Sequence, residues 1–140
     1  MNEGLVFTNG CFDVLHVGHV RYLRQARDLG SSLMVGLNSD ESVRRLKGPK
    51  RPIHNQEIRR EMLLSLKMVD EVVIFEEDTP LRLIMEVNPE IIVKGGDWTP
   101  DKIVGADFVV SSGGKVFSLP FFEGFSSTDT IQRILDVYKN

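Results

Sequence analysis

Apolar residues along this chain follow two different spacings. Short runs rich in β-branched and other apolar residues predict five strands, at positions 5–8, 33–37, 71–75, 91–93 and 115–119. Between these runs, apolar residues recur at helical spacing. Because strands and helices alternate, the pattern predicts an α/β fold in which a parallel sheet carries helices on both faces.

Four helices are predicted between and after the strands. The first contains Leu23 and Ala26 and should end at Gly30, a favourable residue just beyond a helix end. The second covers positions 58–69. The third should begin with Thr79 as N-cap and Pro80 as the first helical residue. The last follows the polar segment 126–128 near the end of the chain.

Three polar segments follow predicted strands, and a parallel sheet binds its ligand where its strands end. The segment His16-Val17-Gly18-His19 lies between the first strand and the first helix. It places two imidazoles at a helix start, where backbone N–H groups and the helix dipole favour an anion. We therefore expect His16 and His19 to donate hydrogen bonds to phosphate, while Gly18 allows a close approach.

Two other interpretations of the histidine pair stay open at this point. His16 and His19 could be ordinary polar residues at a helix start. They could also bind zinc, although His54 and Cys11 are the only other histidine and thiol, which disfavours a closed structural site. No metal-binding residue is predicted.

Further candidates for nucleotide binding lie on turns at the same edge. The turn after the first strand offers polar groups and N–H donors from Asn9, Gly10, Cys11 and Phe12. Gly96 and Asp97 follow the fourth strand and suggest a nucleoside pocket, with Asp97 on a ribose. The hydroxyl groups of Ser126, Ser127 and Thr128 exceed what one N-cap requires and suggest a second phosphate-binding point.

Cationic side chains complete the predicted site. Lys47 lies on a segment, 47–54, that is rich in Lys, Arg, Pro and Gly and is expected to be a mobile lid. Arg59, on the following helix, has a guanidinium suited to bidentate phosphate contact. Lysine and arginine are also common on solvent-exposed surfaces, so these charges could simply face the solvent.

Composition narrows the class of protein. The chain has 140 residues, the size of one domain, and we treat 1–140 as a single domain. A net charge of −3 argues against general nucleic-acid binding, and no apolar run is long enough for a membrane helix. Because Cys11 is a lone cysteine and no signal peptide is evident, a cytoplasmic location is expected.

Taken together, Asn9-Gly10-Cys11-Phe12-Asp13 with the His-x-Gly-His segment, Lys47, Arg59 and 126–128 resemble the cytidylyltransferase-like nucleotidyltransferases. The resemblance covers essentially the whole chain. It implies a Rossmann-like five-stranded parallel sheet and an enzyme that joins a nucleoside triphosphate to a phosphorylated substrate, with Mg²⁺. It also implies catalytic roles for His16, His19 and Lys47, substrate contacts from Asp13 and Lys94, and a possible homodimer.

Within the family, the segments 8–13, 46–48, 75–80 and 93–97 are similar to those of adenylyltransferases that act on heptose 1-phosphate. That branch implies ATP and a sugar 1-phosphate as substrates. It is often fused to a sugar-kinase domain, which this sequence does not contain, so a separate sugar kinase is expected on another chain. The branch specific for CTP and glycerol 3-phosphate usually has an arginine where this chain has Phe121, and the heptose branch commonly has a cysteine at Phe125. A cytidylyltransferase, an FAD-forming adenylyltransferase and a non-catalytic nucleotide-binding domain remain as alternatives.

Overall fold

Five strands form one parallel sheet in the computed structural model, which describes residues 1–139. The strands are β1 (Asn2–Gly10), β2 (Ser32–Asn38), β3 (Glu71–Phe75), β4 (Pro89–Gly95) and β5 (Lys115–Leu119). Their order across the sheet is β3-β2-β1-β4-β5, and every neighbouring pair is parallel. The predicted strands are confirmed, and the bounds of β3 and β5 coincide with the prediction.

Six helices connect or follow these strands: α1 (Val17–Asp28), α2 (Asp40–Lys47), α3 (Gln56–Leu64), α4 (Leu81–Val87), α5 (Ala106–Ser111) and α6 (Ser127–Tyr138). A 3₁₀ turn at Pro100–Lys102 precedes α5. Within residues 1–139, no helix has both the length and the apolar character needed to cross a membrane.

The alternation of side chains along β1 divides the core between the two faces of the sheet. Val6 packs on one face with Leu23 of α1 and Leu63 of α3. Phe7 packs on the other face with Ile84 of α4 and Val109 of α5. Successive strand residues point to opposite faces, so each strand serves both cores. Helices on both faces are therefore confirmed.

Two predicted helix boundaries are wrong. The helix predicted over 58–69 is shorter, because α3 ends at Leu64 with Ser65 as C-cap and the residues after it form turns. The end of α1 is as predicted, because α1 ends at Asp28 with Leu29 as C-cap and Gly30 is the first residue beyond it; Gly30 nevertheless lacks the positive φ of a helix-ending glycine. A Cβ at Gly30 would lie 2.7 Å from Val6 Cγ2, so glycine is needed there for close packing against β1. At the start of α4, Pro80 rather than Thr79 is the N-cap, and no side-chain hydrogen bond caps the helix.

Two helices were missing from the prediction. Helix α2 buries only Ser42 and Val43, and α5 buries only Ala106 and Val109, so neither produces a strong apolar pattern. The omission of α2 matters for the site, because Lys47 is its last residue and does not lie in the following loop.

The strand order changes direction between β1 and β4, which are neighbours in the sheet but distant in sequence. In open α/β sheets this is where ligands bind, beyond the carboxyl ends of the strands. The segment after β1 carries His16 and His19, and the segment after β4 carries Gly96 and Asp97. The prediction that these segments meet at one edge of the sheet is confirmed by this order.

Candidate active site at the switch in strand order

The connection from β1 to α1 contains unusual backbone geometry. Phe12 and Val14 both have positive φ values, of 47° and 55°. This region is unfavourable for L-residues and is a true outlier for a β-branched residue such as Val14. Such strain concentrates where a fold positions a functional group. Here it turns the chain so that His16 reaches the start of α1.

The two histidines cap α1 through reciprocal hydrogen bonds. His16 is the N-cap, and its Nδ1 accepts from the backbone N–H of Gly18 at 3.1 Å. In return, His19 Nδ1 accepts from the backbone N–H of His16 at 3.2 Å. Their rings stack with centroids 3.8 Å apart. Both imidazoles are thus held in place by the helix start itself.

This capping arrangement sets the protonation of both rings. A neutral imidazole that accepts at Nδ1 carries its proton on Nε2. Burial lowers the pKa of His16, and burial together with the charge of His16 lowers the pKa of His19 to about 4. At neutral pH, each ring is uncharged and has its Nε2–H available as a donor.

Gly18 is required between the histidines for a reason that the sequence did not reveal. A Cβ on this residue would lie 2.9 Å from Cε1 and 3.0 Å from Nδ1 of His16. It would also lie 3.0 Å from the Cβ of Phe125. The missing side chain therefore makes room for the His16 ring, in addition to the predicted close approach of a phosphate.

Arg59 occupies a different position from the one predicted. Its side chain is 1% exposed. Its N–H groups donate to the carbonyls of Cys11, Asn38 and His54 and to the carboxylate of Asp40, at 2.8–2.9 Å. Because these protein acceptors occupy the guanidinium, the arrangement argues against the predicted phosphate contact.

Asp13 likewise faces the protein rather than a ligand. Its carboxylate is fully buried and accepts from Arg51 Nε and from the backbone N–H groups of Ile53 and His54. Burial by itself would raise the pKa of Asp13, but these bonds outweigh it and hold the pKa below its usual value. A substrate contact through this carboxylate conflicts with the geometry, and the segment 51–54 is attached to the protein rather than being a loose lid.

Lys47 and Lys94 lie close enough for their charges to interact, and both lie near Cys11. Lys47 is exposed at the end of α2, whereas Lys94 is half-buried on β4. Burial lowers the pKa of Lys94, and the charge of Lys47 lowers it further. Burial also raises the pKa of the Cys11 thiol, so Cys11 is not a ready nucleophile. Two cations, one from α2 and one from β4, therefore lie near the turn after β1.

The turn after β4 is fixed against β5. Gly96 N–H donates to the carbonyl of Leu119 at 2.7 Å, and the Ser118 hydroxyl donates to the carbonyl of Gly96. Gly96 has a φ of +105°, a conformation that favours glycine. A Cβ on Gly96 would lie 3.0 Å from the Phe121 ring, so that exposed ring lies directly over this turn. Asp97 is exposed beside it.

The three hydroxyl residues before α6 have different positions. Ser126 is the N-cap and accepts from the backbone N–H of Asp129 at 2.9 Å, which confirms one hydroxyl as the cap. Ser127 donates to the carbonyl of Asp13 and so joins α6 to the turn after β1. That hydroxyl is no longer available as a donor. Thr128 is exposed in the first turn of α6.

Several residues of this site had no assigned role in the sequence-based prediction. Tyr22 is hydrogen-bonded to the Thr8 hydroxyl at 2.6 Å and to the carbonyl of Val93 at 3.3 Å, so it bridges β1 and β4. Nothing in the sequence indicated these partners, which lie on other elements of the fold. Phe125 stacks near His16 with centroids 6.3 Å apart. Only the tertiary fold places Phe125 there, because it follows β5.

A model of the cytidylyltransferase-like family matches residues 7–133 of this chain. The match includes the switch point, the paired histidines and the start of α6. The chain belongs to this family.

Individual relatives agree with that assignment. The chain is 56% identical over 135 residues to the bifunctional protein HldE of Syntrophotalea carbinolica and 53% identical over 134 residues to that of Coxiella burnetii. Each alignment covers 96% of this chain and 28% of the relative. The chain therefore spans just over a quarter of the length of these relatives.

Solved structures give a consistent result. The lipopolysaccharide core biosynthesis protein of Thermoplasma volcanium is similar with a TM-score of 0.67 and 31% identity, over 86% of this chain and 98% of that one. TmcAL of Thermotoga maritima, solved with alpha-thio ATP, has the same TM-score at 12% identity, over 96% of this chain and 50% of that one. At such low identity, the second likeness concerns the fold alone.

Proposed function

We propose that this chain is a nucleotidyltransferase that transfers AMP from ATP to a sugar 1-phosphate and releases pyrophosphate. The observation that supports this most strongly is the pair of neutral imidazoles, each held through Nδ1 by the start of α1. Their Nε2–H groups are fixed donors beside the switch point. Preorganised donors of this kind stabilise the charge that develops during phosphoryl transfer.

In the proposed reaction, an oxygen of the sugar 1-phosphate attacks the α-phosphorus of ATP in line with the leaving group. The bond from the α-phosphorus to the bridging oxygen breaks, and pyrophosphate leaves with its electron pair. The attacking oxygen is already anionic, so no general base is needed. Catalysis then depends on positioning and electrostatic stabilisation, which His16 and His19 provide through Nε2–H.

The remaining groups would bind different parts of the two substrates. Lys47 would contact both the sugar phosphate and the α-phosphate, and Lys94 would attract the sugar phosphate. Backbone groups of the turn at Asn9, Gly10, Cys11 and Phe12 and the start of α6 would hold the nucleotide phosphates. Asp97 would bind the ribose.

Mg²⁺ is expected to arrive with ATP, coordinated by its phosphates. In the described part of the chain, no group of three or more His, Cys, Asp or Glu side chains is arranged for a metal ion. Such a group is not required, because Mg²⁺ commonly binds substrate phosphates and water with one or two carboxylates.

Heptose 1-phosphate is the proposed sugar substrate. Support comes from the four segments similar to heptose 1-phosphate adenylyltransferases and from the 56% identity to HldE. It also comes from the similarity to a lipopolysaccharide core biosynthesis protein. In this scheme, a sugar kinase activity supplies the sugar 1-phosphate, and a homodimer remains a prediction.

A matrix of substrates tests the proposal. The purified chain is assayed for pyrophosphate release with ATP or CTP, each combined with D-glycero-β-D-manno-heptose 1-phosphate or glycerol 3-phosphate. We expect turnover only with ATP and the heptose phosphate, and a product with the mass of an ADP-heptose. Turnover with CTP and glycerol 3-phosphate would instead support a cytidylyltransferase. Tight ATP binding without pyrophosphate release from any sugar phosphate would favour a non-catalytic nucleotide-binding domain.

A further inference from the structure

The carboxylate of Asp13 is committed to one short segment of the chain. Its Oδ2 accepts from Arg51 Nε at 2.9 Å and from the N–H of Ile53 at 2.7 Å. Its Oδ1 accepts from the N–H of His54 at 3.0 Å. With 0% of its side chain exposed, Asp13 has no face left for a ligand. Its bonds attach the segment 51–54 to the turn that follows β1.

Arg59 also holds the segment 51–54 and the turn after β1 in place, through hydrogen bonds from the protein interior. Its Nε donates to the carbonyl of His54, and one terminal nitrogen donates to the carbonyls of Cys11 and Asn38. The other terminal nitrogen lies 2.9 Å from the carboxylate of Asp40, the first residue of α2. The segment 51–54, the turn after β1 and the start of α2 are thus joined by buried, charge-assisted hydrogen bonds, which are stronger than neutral ones.

Lys47 lies between these two attachments. Upstream, α2 is held at Asp40 by Arg59 and by a hydrogen bond from its backbone N–H to Gln56 Oε1 at 3.0 Å. Downstream, Arg51 is held by Asp13. Only residues 48–50 separate Lys47 from that bond. Gly48 among them has a φ of +100°, and a Cβ on this residue would meet no atom within 4 Å, so the space beside Gly48 is open.

The ion pair between Arg51 and Asp13 also neutralises a negative charge. An unpaired carboxylate in the turn after β1 would repel a polyphosphate bound there. Arg51 neutralises Asp13 at 2.9 Å, and both side chains are largely buried, with 15% and 0% exposed. At such burial, the pair is only weakly screened by water. The turn can therefore hold an aspartate and still accept an anion.

We propose that Asp13 is a positioning residue that holds the segment 51–54 against the turn after β1 and thereby keeps Lys47 at the substrate phosphates. The part that concerns Lys47 rests on the proposed function. Asp13 itself does not touch substrate. Arg51 is its partner in this role, and Arg59 supports both from the interior.

Limited proteolysis tests the attachment without any turnover. Trypsin can cleave after Lys47 and Lys50, and mass spectrometry measures each rate in the full chain. We expect Asp13→Asn to raise cleavage after both lysines by about tenfold or more, because a charge-assisted hydrogen bond is lost. For Arg51→Ala the same rise is expected after Lys47, which is the site compared because Arg51 itself follows Lys50 in the cleaved bond. Asp78→Asn is the matched control, since Asp78 pairs with Arg45 of the same helix α2 but lies on the exposed surface.

Steady-state kinetics separates positioning from direct binding. If Asp13 positions Lys47, Asp13→Asn and Arg51→Ala lower kcat together while the KM for the sugar phosphate changes less than kcat. If Asp13 binds the sugar phosphate directly, Asp13→Asn raises that KM and leaves cleavage after Lys50 unchanged, which overturns the proposal. Unchanged cleavage in both variants also overturns it.

The two proposals can fail independently. Should Asp13→Asn not fold, Arg51→Ala decides the question, because the Arg51 side chain lies closer to the surface and leaves the backbone bonds of Asp13 in place. Should the unmodified chain release no pyrophosphate with any sugar phosphate, the proposed function fails. Cleavage after Lys47 in both variants still decides whether Asp13 holds the segment.

Discussion

Replacing Gly18 with alanine should abolish most activity while leaving the fold intact. The new Cβ would lie 2.9 Å from Cε1 and 3.0 Å from Nδ1 of His16, and 3.0 Å from Phe125 Cβ. The backbone of α1 is fixed by its helical hydrogen bonds, so the His16 ring must rotate away. Rotation breaks its 3.1 Å bond from the N–H of Gly18 and its stacking on His19.

The expected magnitudes differ for stability and for rate. Losing the N-cap bond costs about 1 kcal/mol of stability. Alanine at a helical position recovers about 1 kcal/mol relative to glycine, although less so near a helix end. The two effects nearly cancel, and a residual of about 1 kcal/mol would move Tm by only about 4 °C. Displacing one preorganised donor, in contrast, should lower kcat by about a hundredfold.

Thermal unfolding and pyrophosphate release measured on the same preparation test this reasoning. Val17→Ala serves as the control. Val17 is the exposed neighbour of Gly18 in the first turn of α1, and its apolar side chain makes no hydrogen bond to either imidazole. We expect Val17→Ala to retain kcat within a fewfold of the unmodified chain. Near-normal kcat in folded Gly18→Ala would refute the steric argument. A large fall in Tm with proportional loss of activity would refute the separation of rate from stability.

Three further predictions concern the histidines and Arg59. His19→Ala should lower kcat by at least about a hundredfold in the pyrophosphate assay, and near-normal turnover of the folded variant would exclude the proposed mechanism. Folding lowers the pKa of His19 from 6.5 to about 4, so the unfolded chain binds the proton more readily than the folded chain. The stability that neutral His19 contributes is therefore complete above pH 6.5 and is lost as the pH falls toward 4. Urea unfolding between pH 4 and 7 should therefore show a smaller decline for His19→Gln than for the unmodified chain. Finally, Arg59→Lys should cost about 3 kcal/mol of unfolding free energy, because buried acceptors lose their donors. Arg60→Lys, the exposed neighbour, should change it by less than about 0.5 kcal/mol, and equal effects would contradict the buried role of Arg59.

The sequence predicted elements well where their apolar pattern was strong. The runs at 71–75 and 115–119 coincide with β3 and β5, because β-branched and other apolar residues there pack against the helices that cover the sheet. Helices α2 and α5 were missed because each buries few apolar residues. Gly30 follows the end of α1 as predicted, but the reason for a glycine there is its close contact with β1, which is remote in sequence.

The position of the candidate site along the chain could be predicted from the sequence, but its geometry could not. Spacing alone placed His16 and His19 one helical turn apart at a strand-to-helix junction, because local backbone geometry governs neighbours three residues apart. The resemblance of residues 9–19 was enough to indicate the family that the matched region 7–133 supports. These features depend on local order along the chain and not on contacts between distant residues.

Tertiary structure alone decided which polar groups remain open to a ligand. Asp13 and Arg59 have the same residue types as ligand-binding groups, yet each is buried and bonded to protein partners. Those partners lie 38–41 residues away from Asp13 and up to 48 residues away from Arg59. The sequence by itself determined the family, the sheet and the paired histidines, because these follow from local pattern. Whether a charge faces the substrate or the protein depends on what the fold packs against it, and that only the tertiary structure decided.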